Sequence, residues 1–513
     1  MCNSAVWKHG LALVIVGKGP VSMILHWVFF SFSTAVTSFL VLAYGLDGHL
    51  PLVLAFAGLS LWQFTCLLHA AKPSPPPAVL QLGGFSWTLS DFCRGWLITG
   101  KTGSGKTAAA INTMLWQVSK NCPKWGGVCI DDKGVYWETV SSMFTSLGRK
   151  EDLILLQVRP ENAGPEWKPL HCFNFLDSPH LPYSAKAKLI CDVAASLGQR
   201  SEQSFFRTQA QVQIEFAFNA LGQVGLPVTL KNAYELLTSD TGFEDVMEMV
   251  AEEERPGWTE LIDHYTDRFK SQPAEQLGGV KTTIANYLKP FTDPDLAEIF
   301  CPPKSSFDFD AIGDGKVICV SIPQRYSVER RYINTLLKLA FYARALRRFD
   351  QPAEERIKNN LMILWADEAQ KIVTAADDGM SDYNVMDVLR ETNSTVVAAT
   401  QSHISLIPPM GDERKAKVFM ANAVNRVTFC ASDEDSAKMA ADTLGRRKAK
   451  KRTVSQSGGK RSTSWTEEDK YYFEPYELRK LRKFEAVVQH CEGGFRRIVL
   501  PPMGPDGKKA SWF

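Results

Sequence analysis

The sequence predicts an α/β protein with a parallel, three-layer sheet, an all-helical insertion in the sheet domain and a membrane hairpin ahead of it. Three observations predict this arrangement. A glycine-rich segment at residues 100–107 lies between a strand pattern and a helix pattern. Short apolar runs alternate with helical stretches in much of the remaining chain, which is typical of a parallel sheet covered by helices. Two long segments without a charged residue precede the glycine-rich segment.

The glycine-rich segment fits the phosphate-binding pattern G-x-x-x-x-G-K-[ST]. Its residues are Gly100, Lys101, Thr102, Gly103, Ser104, Gly105, Lys106 and Thr107. Glycines let successive backbone N–H groups surround a polyphosphate, and the helix that follows presents its positive dipole end. In this pattern Lys106 reaches the β- and γ-phosphates and the Thr107 hydroxyl binds Mg²⁺. The alternative is a glycine-rich turn without a ligand, but the flanking strand and helix favour a nucleotide site.

Composition limits the other possibilities. A chain of 513 residues exceeds what one hydrophobic core usually holds, so two or more domains are expected. The net charge of +2 excludes a whole-chain attraction for nucleic acid, so any basic surface must be local. The eleven cysteines include no C-x-x-C pair, which favours a reduced, cytoplasmic compartment over a disulfide framework.

Two uncharged segments, at about residues 21–44 and 50–71, predict a transmembrane hairpin. They contain 24 and 22 residues, and at about 1.5 Å per residue each can cross an apolar layer of about 30 Å. The connecting residues 45–49 carry no lysine or arginine. The flanking basic residues are Lys8, Lys18, Lys72 and Arg94. This bias places both ends in the cytoplasm. The alternatives are a signal peptide, which leaves the second segment unexplained, and buried helices of a soluble core.

The domain prediction divides the chain into three parts. Residues 1–72 form the membrane region, residues 73–183 and 303–513 the α/β domain, and residues 184–302 the helical insertion. The insertion is predicted because strand patterns stop there and helical spacing replaces them. Its acidic residues form either a solvated surface or a docking site for a positively charged partner.

Charged residues follow the predicted strand that begins at residue 127. Because ligands bind at the carboxyl ends of parallel strands, Asp131 and Lys133 are candidates for the nucleotide site or for an inter-subunit site. A plain loop is the alternative.

A second chemical signature lies at residues 361–368, where an apolar strand pattern ends in two acids. In phosphate-loop ATPases the first acid, here Asp367, holds Mg²⁺ through its coordination shell. The second, Glu368, polarises the attacking water. An apolar run with two acids is weak evidence alone, but downstream of a phosphate loop it predicts ATP hydrolysis.

Two further polar residues flank the next predicted strand, residues 394–402. Gln401 ends this strand next to the acid-bearing strand, so its side-chain amide could reach the γ-phosphate and report hydrolysis. Arg390, at the end of the preceding helix, could reach the phosphate of a neighbouring subunit. The alternatives are a structural hydrogen bond for Gln401 and a surface salt bridge for Arg390.

The densest basic run of the chain is at residues 446–452, and it continues into residues 455–461. It lies in a flexible, polar setting. One interpretation is a solvated loop. The other is contact with a nucleic-acid backbone, which gives salt-sensitive affinity without sequence preference.

The ordered set of these motifs resembles the type IV secretion coupling proteins, the TraG/TraD-like family of conjugative DNA-transfer ATPases. The segments that carry the resemblance are the hairpin, GKTGSGKT (100–107), IDDKG (130–134), HCFNFL (171–176), the helical insertion, LMILWADEAQ (361–370), TQS (400–402) and FEPYELR (473–479). Two positions depart from the family pattern. Val135 replaces an acid, which puts partner contacts there in doubt, and Phe175 stands where a proline is common.

The resemblance implies a RecA-like nucleotide-binding domain in an inner-membrane homo-hexamer, with ATP and Mg²⁺ at the subunit interfaces. It implies multi-pass anchoring with both termini and the ATPase domain in the cytoplasm. The implied partners are single-stranded DNA, a relaxase that docks on the helical insertion, and the channel components of a type IV secretion system.

The resemblance also implies a role for each matching residue. Lys106 contacts phosphate, Thr107 and Asp367 serve Mg²⁺, and Glu368 completes the acidic pair. Arg390 becomes the arginine that acts on a neighbouring subunit, and Gln401 becomes the sensor. The alternatives are a chromosome-segregation-like motor, a secretion ATPase for proteins only, and a cargo receptor that binds nucleotide without hydrolysis.

Overall fold

The computed structural model describes most of the chain after residue 76. The described ranges are 77–197, 204–239, 242–252, 258–269, 271–376, 379–457 and 460–513, with scattered residues between 31 and 62. The chain divides into two units, residues 1–77 and 78–513, and the elements below belong to the second. The predicted hairpin at residues 21–44 and 50–71 lies largely outside the described residues. Among the residues that are described, none of the helices has both the length and the apolar composition needed to cross a bilayer.

The strands of the second unit follow the predicted alternation with helices. They are β1 (Leu80–Leu82), β2 (Phe85–Trp87), β3 (Trp96–Thr99), β4 (Gly126–Asp131), β5 (Leu153–Gln157), β6 (Val317–Ser321), β7 (Met362–Asp367), β8 (Ser394–Thr400), β9 (Asn425–Thr428), β10 (Arg446–Ser457), β11 (Lys460–Tyr471), β12 (Glu485–Gln489) and β13 (Phe495–Val499). The main sheet has the order β13-β12-β9-β3-β8-β7-β4-β6-β5. From β9 to β5 all neighbours are parallel.

The helices lie between these strands. They are α1 (Leu89–Phe92), α2 (Asn112–Asn121), α3 (Tyr136–Ser146), α4 (Tyr183–Ser196), α5 (Ser204–Gln223), α6 (Leu230–Thr238), α7 (Gly242–Glu252), α8 (Trp258–Asp263), α9 (Ala274–Leu288), α10 (Pro294–Phe300), α11 (Ser327–Leu346), α12 (Ala353–Arg356), α13 (Asp382–Val385), α14 (Ile407–Met410), α15 (Glu413–Asn422), α16 (Glu434–Leu444) and α17 (Pro475–Arg479). A π-helical turn, Lys106–Ile111, leads into α2, and a second one, His264–Phe269, follows α8.

The central strands are buried on both faces, as expected for a sheet between two helical layers. Every residue of β3, β4 and β8 is buried. Alternate residues of each strand enter different hydrophobic clusters. Leu97 and Leu364 belong to one cluster, whereas Trp96 and Trp365 belong to the other. The apolar runs that predicted these strands are therefore continuous because neither face is exposed to water.

The chain is helical from α4 to α10, and no strand interrupts this stretch among its described residues. These helices share one hydrophobic cluster with the sheet. The hydroxyl of Tyr332 in α11 donates to the carbonyl oxygen of Ile190 in α4 at 3.0 Å. The helical segment therefore packs directly on one face of the α/β unit.

The prediction of a parallel sheet is wrong at one edge. β12 pairs antiparallel with both β9 and β13. Only residues 490–494 connect β12 to β13, and so short a connection permits antiparallel pairing but no parallel crossover. The sheet is therefore mixed.

The interpretation of the basic run as a loop is also wrong. β10 and β11 form an antiparallel hairpin with twelve paired positions, from Arg446 opposite Tyr471 to Ser457 opposite Lys460. Many basic residues of β10 face acids or aromatic residues of β11, for example Lys450 opposite Glu467. Such cross-strand pairs stabilise a hairpin, which explains an extended structure in a sequence of mainly polar residues.

Candidate nucleotide site

The predicted phosphate loop connects β3 to the π-helical turn before α2. Gly105 has a φ of 113°, and a Cβ atom there would lie 2.5 Å from Cδ1 of Phe484. Only glycine fits this position. The Lys101 N–H donates to the carbonyl oxygen of Cys430 at 2.8 Å, and the Ser104 N–H donates to the carbonyl oxygen of Lys101 at 3.1 Å. The first bond attaches the loop to the residues after β9, and the second closes a turn within the loop.

Two polar side chains of the loop point inward. The Lys106 side chain is buried, and its Nζ donates to the carbonyl oxygens of Gly100 at 2.7 Å and Lys101 at 3.4 Å. Burial lowers the pKa of Lys106, while Glu368 and Asp367 nearby oppose that shift. The Ser104 hydroxyl oxygen is buried, and no described group hydrogen-bonds to it. A buried hydroxyl without a partner fits a loop that binds phosphate oxygens.

The acid pair lies beside the loop at the carboxyl end of β7. The Thr107 hydroxyl donates to Oδ2 of Asp367 at 2.8 Å. Burial raises the pKa of Asp367, and the Thr107 hydrogen bond opposes this. Two oxygen ligands this close, one from each motif, suit a hard cation such as Mg²⁺. The structure thus brings together the two residues predicted to serve the metal.

Glu368 occupies an unusual backbone conformation, with a φ of 56°. Such a conformation is costly for a residue with a side chain and is often found at functional sites. The carboxylate accepts hydrogen bonds at Oε2 from the side-chain amides of Gln401, at 3.1 Å, and Gln370. β8 lies next to β7, so the predicted adjacency of Gln401 and the acids is observed. Gln401 itself follows the last residue of β8 rather than belonging to it.

Arg390 lies far from this cleft within its own chain. It belongs to a short 3₁₀ helix, Leu389–Thr392, that precedes β8. Because the seven residues of β8 rise about 3.3 Å each, Arg390 is about 20 Å from the carboxyl end of the strand. Its side chain is exposed. The structure therefore separates Arg390 from the other predicted site residues of the same chain.

Asp131 has a structural function. Its carboxylate accepts backbone hydrogen bonds from Lys133 at 3.0 Å and from Val135 and Tyr136 at 3.1 Å. These bonds fix the turn between β4 and α3. Lys133, in contrast, lines the cleft beside the phosphate loop and the acid pair.

Comparison with known proteins identifies the family. A model of the family described as type IV secretory system conjugative DNA transfer matches residues 68–492. The chain belongs to this family. No curated protein matches the sequence.

The chain shares its fold with solved structures of the bacterial conjugative coupling protein TrwB. An unbound form of TrwBΔN70 has a TM-score of 0.60 at 15% identity, covering 86% of this chain and 93% of TrwBΔN70. A TrwB complex with ADP and Mg²⁺ has a TM-score of 0.56 at 14% identity, covering 87% of this chain and 95% of the other. At this level of identity the likeness confirms the RecA-like α/β fold.

This family member also has cleft residues that the sequence motifs did not indicate. Lys483, Phe484 and Trp512 line the same cleft of about 280 Å³ as the phosphate loop. The Phe484 N–H donates to the carbonyl oxygen of Ser104 at 2.9 Å. These residues lie 376 to 405 positions after Thr107, the last residue of the loop, and belong to no nucleotide-binding motif. No spacing in the sequence connects them to it.

Proposed function

We propose that this chain is an Mg²⁺-dependent ATPase that couples a DNA–relaxase substrate to a type IV secretion channel and helps drive single-stranded DNA transfer in conjugation. One observation carries the proposal: Thr107, Asp367, Glu368 and Gln401 meet beside the phosphate loop. Family membership supports the conjugative role. TrwB has been solved with ADP and Mg²⁺ and with a non-hydrolysable ATP analogue, which supports the choice of ATP and Mg²⁺.

In this proposal the loop and its lysine bind the phosphates. The Lys106 ammonium donates to carbonyl oxygens of the loop, and a side-chain rotation can redirect these donors to phosphate oxygens. The hydroxyl of Thr107 and the carboxylate of Asp367 would hold Mg²⁺. Mg²⁺ held there would supply charge neutralisation for the phosphates.

In this proposal Glu368 accepts a proton from the attacking water. Two amide donors orient its carboxylate. Gln401 shares this carboxylate, so a change at the γ-phosphate can reach β8 through the same hydrogen bond. General-base positioning of this kind contributes about 10²- to 10⁴-fold to a rate.

The β10–β11 hairpin is proposed as a contact for single-stranded DNA. Residues 446–471 include nine basic and three acidic residues, a net charge of +6 in a chain whose total is +2. The side chain of Trp465 is 63% exposed, and the Arg452 guanidinium lies 6.0 Å from its ring centroid. Basic side chains beside an exposed aromatic ring suit backbone contact and base stacking on a single strand.

The assembly and location are proposed on the family resemblance and on the sequence. The proposal is a homo-hexamer in the inner membrane, with the hairpin at residues 21–44 and 50–71 as its multi-pass anchor and both termini and the ATPase domain in the cytoplasm. The helical segment at residues 184–302 is proposed as the relaxase-docking domain. The exposed Arg390 supports an arginine that serves a neighbouring subunit.

The test is ATP turnover by the full-length protein with and without single-stranded DNA, over a range of salt concentrations. We expect turnover that needs Mg²⁺ and a stimulation by DNA that weakens as salt rises. A protein-only secretion ATPase would hydrolyse ATP without any response to DNA. A cargo receptor would bind ATP and never turn it over.

A further inference from the structure

We propose that the Trp512 indole, supported from behind by Phe484, forms the platform on which the purine ring of the bound nucleotide stacks. The inference rests on the proposed function, since it assigns the base-binding part of the same cleft. Trp512 lines the cleft together with Thr102 and Gly103 of the phosphate loop. It is therefore placed to contact the end of a nucleotide whose phosphates are held by that loop.

The segment that carries Trp512 is attached to the helix after the phosphate loop. The Met503 N–H donates to the carbonyl oxygen of Ala108 at 2.9 Å. The Asn112 side-chain amide donates to the carbonyl oxygen of Met503 at 3.3 Å. A further bond, from the Ala510 N–H to the carbonyl oxygen of Pro502 at 2.9 Å, closes the segment on itself. These bonds attach the backbone of the segment that carries Trp512 to the helix that follows the loop.

Phe484 supports the indole from the protein side. The two ring centroids are 5.7 Å apart, at an interplanar angle of 45°, and Phe513 packs against Phe484 at 5.2 Å. The Lys483 ammonium lies 5.0 Å from the Phe484 centroid and 5.7 Å from the Trp512 centroid. The Trp512 side chain is nevertheless 65% exposed. A large aromatic surface that is anchored on one side and open on the other is suited to stacking.

Stacking also matches the chemistry of the ligand class. A purine offers a flat π-face, and the stacking of one base on an aromatic side chain contributes a substantial part of binding in nucleic-acid complexes. The positive charge of Lys483 beside the rings would also attract the phosphates of the bound nucleotide. The platform would hold purine nucleoside triphosphates in general because every base has such a face.

The experiment compares two ligands on the full-length protein by calorimetry: ATP with Mg²⁺, and inorganic tripolyphosphate with Mg²⁺. Tripolyphosphate keeps the phosphate contacts but lacks the base. For Trp512→Ala we expect the Kd for ATP to rise about tenfold, as for the loss of one base–aromatic stack, and the Kd for tripolyphosphate to stay unchanged. Trp512→Phe should retain most of the ATP affinity. Tyr476→Ala, which removes an exposed aromatic ring outside the cleft, is the matched control.

Three results would overturn the platform. Unchanged ATP affinity in Trp512→Ala shows that the base does not stack there. Tighter ATP binding identifies the segment as a lid that competes with the nucleotide. An equal loss for both ligands shows that Trp512 supports the loop instead. Lys106→Ala distinguishes a failure of the platform from a failure of the proposed function. If the loop binds the phosphates, this variant should weaken the binding of both ATP and tripolyphosphate. A wild-type protein that binds neither ligand overturns both proposals.

Discussion

The side-chain amide of Gln401 donates to Oε2 of Glu368 at 3.1 Å, which joins the ends of the neighbouring strands β8 and β7 at the acid pair. The same carboxylate accepts from Gln370. Glu368, the proposed general base, is therefore held both by Gln401 after the adjacent strand and by Gln370 in its own segment. A change in either contact alters the orientation of Glu368 without touching the phosphate loop.

We expect Gln401→Ala to lower kcat for ATP by about tenfold or more, since the loss of one positioning donor in an active site has effects of at least this order. The Kd for ATP should stay unchanged because Lys106 and the loop N–H groups are unaffected. Steady-state turnover and calorimetry measure the two quantities. The control is Gln117→Ala, which removes an exposed amide that donates to the carbonyl oxygen of Gln81 outside the cleft. A fall in ATP affinity with kcat intact would exclude the positioning role.

The position of Arg390 before β8 predicts action on a neighbouring subunit. Arg390→Ala and Lys106→Ala should each abolish turnover in uniform assemblies. Mixed assemblies should regain part of it, since some interfaces then combine an intact phosphate loop with an intact arginine. Turnover measured as a function of the mixing ratio tests this. An inactive mixture at every ratio would contradict a role across the interface.

A buried ion pair fixes the segment after the acid pair. Lys338 in α11 bonds to Asp382 and to the carbonyl oxygen of Ile372, and both side chains of the pair are almost inaccessible to water. We expect Lys338→Met to lower the free energy of unfolding by about 3–5 kcal/mol, because it leaves a buried carboxylate without its counter-charge. Asp382 also accepts from the Tyr342 hydroxyl and the Thr374 N–H, so the double variant Lys338→Met/Asp382→Asn, which removes the charge but keeps an acceptor, should recover part of this loss. Denaturant titration measures both, and a single variant as stable as the wild type would contradict the account.

His403 predicts an acid-sensitive component of stability. Burial, aided by Arg426, lowers the pKa of His403 to about 4, whereas an unfolded histidine titrates near about 6.5. The folded protein keeps His403 neutral, so the free energy of unfolding is highest above the pKa of the unfolded histidine. It falls as the pH drops from that value towards the pKa of His403 in the folded protein. Between about pH 8 and pH 5 this costs about 2 kcal/mol of unfolding free energy. His403→Gln should remove that part of the pH dependence, and parallel titrations of both proteins should therefore differ in slope. Equal slopes would show that His403 does not titrate on unfolding.

The sequence predicts the parts of the site that depend on local pattern. The phosphate loop and the two acids each follow a strand, and parallel strands bring their carboxyl ends to one edge, so the contact between Thr107 and Asp367 follows from topology. Gln401 is predicted for the same reason. Asp131 lies at the same edge, but the three N–H groups of its own turn bind its carboxylate, which strand position alone does not reveal.

Other features depend on pairing between distant segments. Phe484 reaches the phosphate loop because β12 joins the sheet at its antiparallel edge, and no periodic pattern predicts that register. The sequence does not predict the β10–β11 hairpin because its residues are mainly polar, although the cross-strand pairs between Lys450 and Glu467 and between Arg452 and Trp465 stabilise it. The composition of β10 or of β11 alone does not predict a strand, because the side-chain contacts that stabilise the hairpin form between the two strands.

The most direct measurement is ATP turnover by full-length Glu368→Gln compared with the wild type, with the Kd for ATP and Mg²⁺ determined on the same preparations. If Glu368 activates the attacking water, the variant binds ATP as tightly as the wild type and its turnover falls by about 10²-fold or more. Turnover at the wild-type rate with unchanged ATP affinity would contradict the claim that these strand ends form the hydrolytic centre.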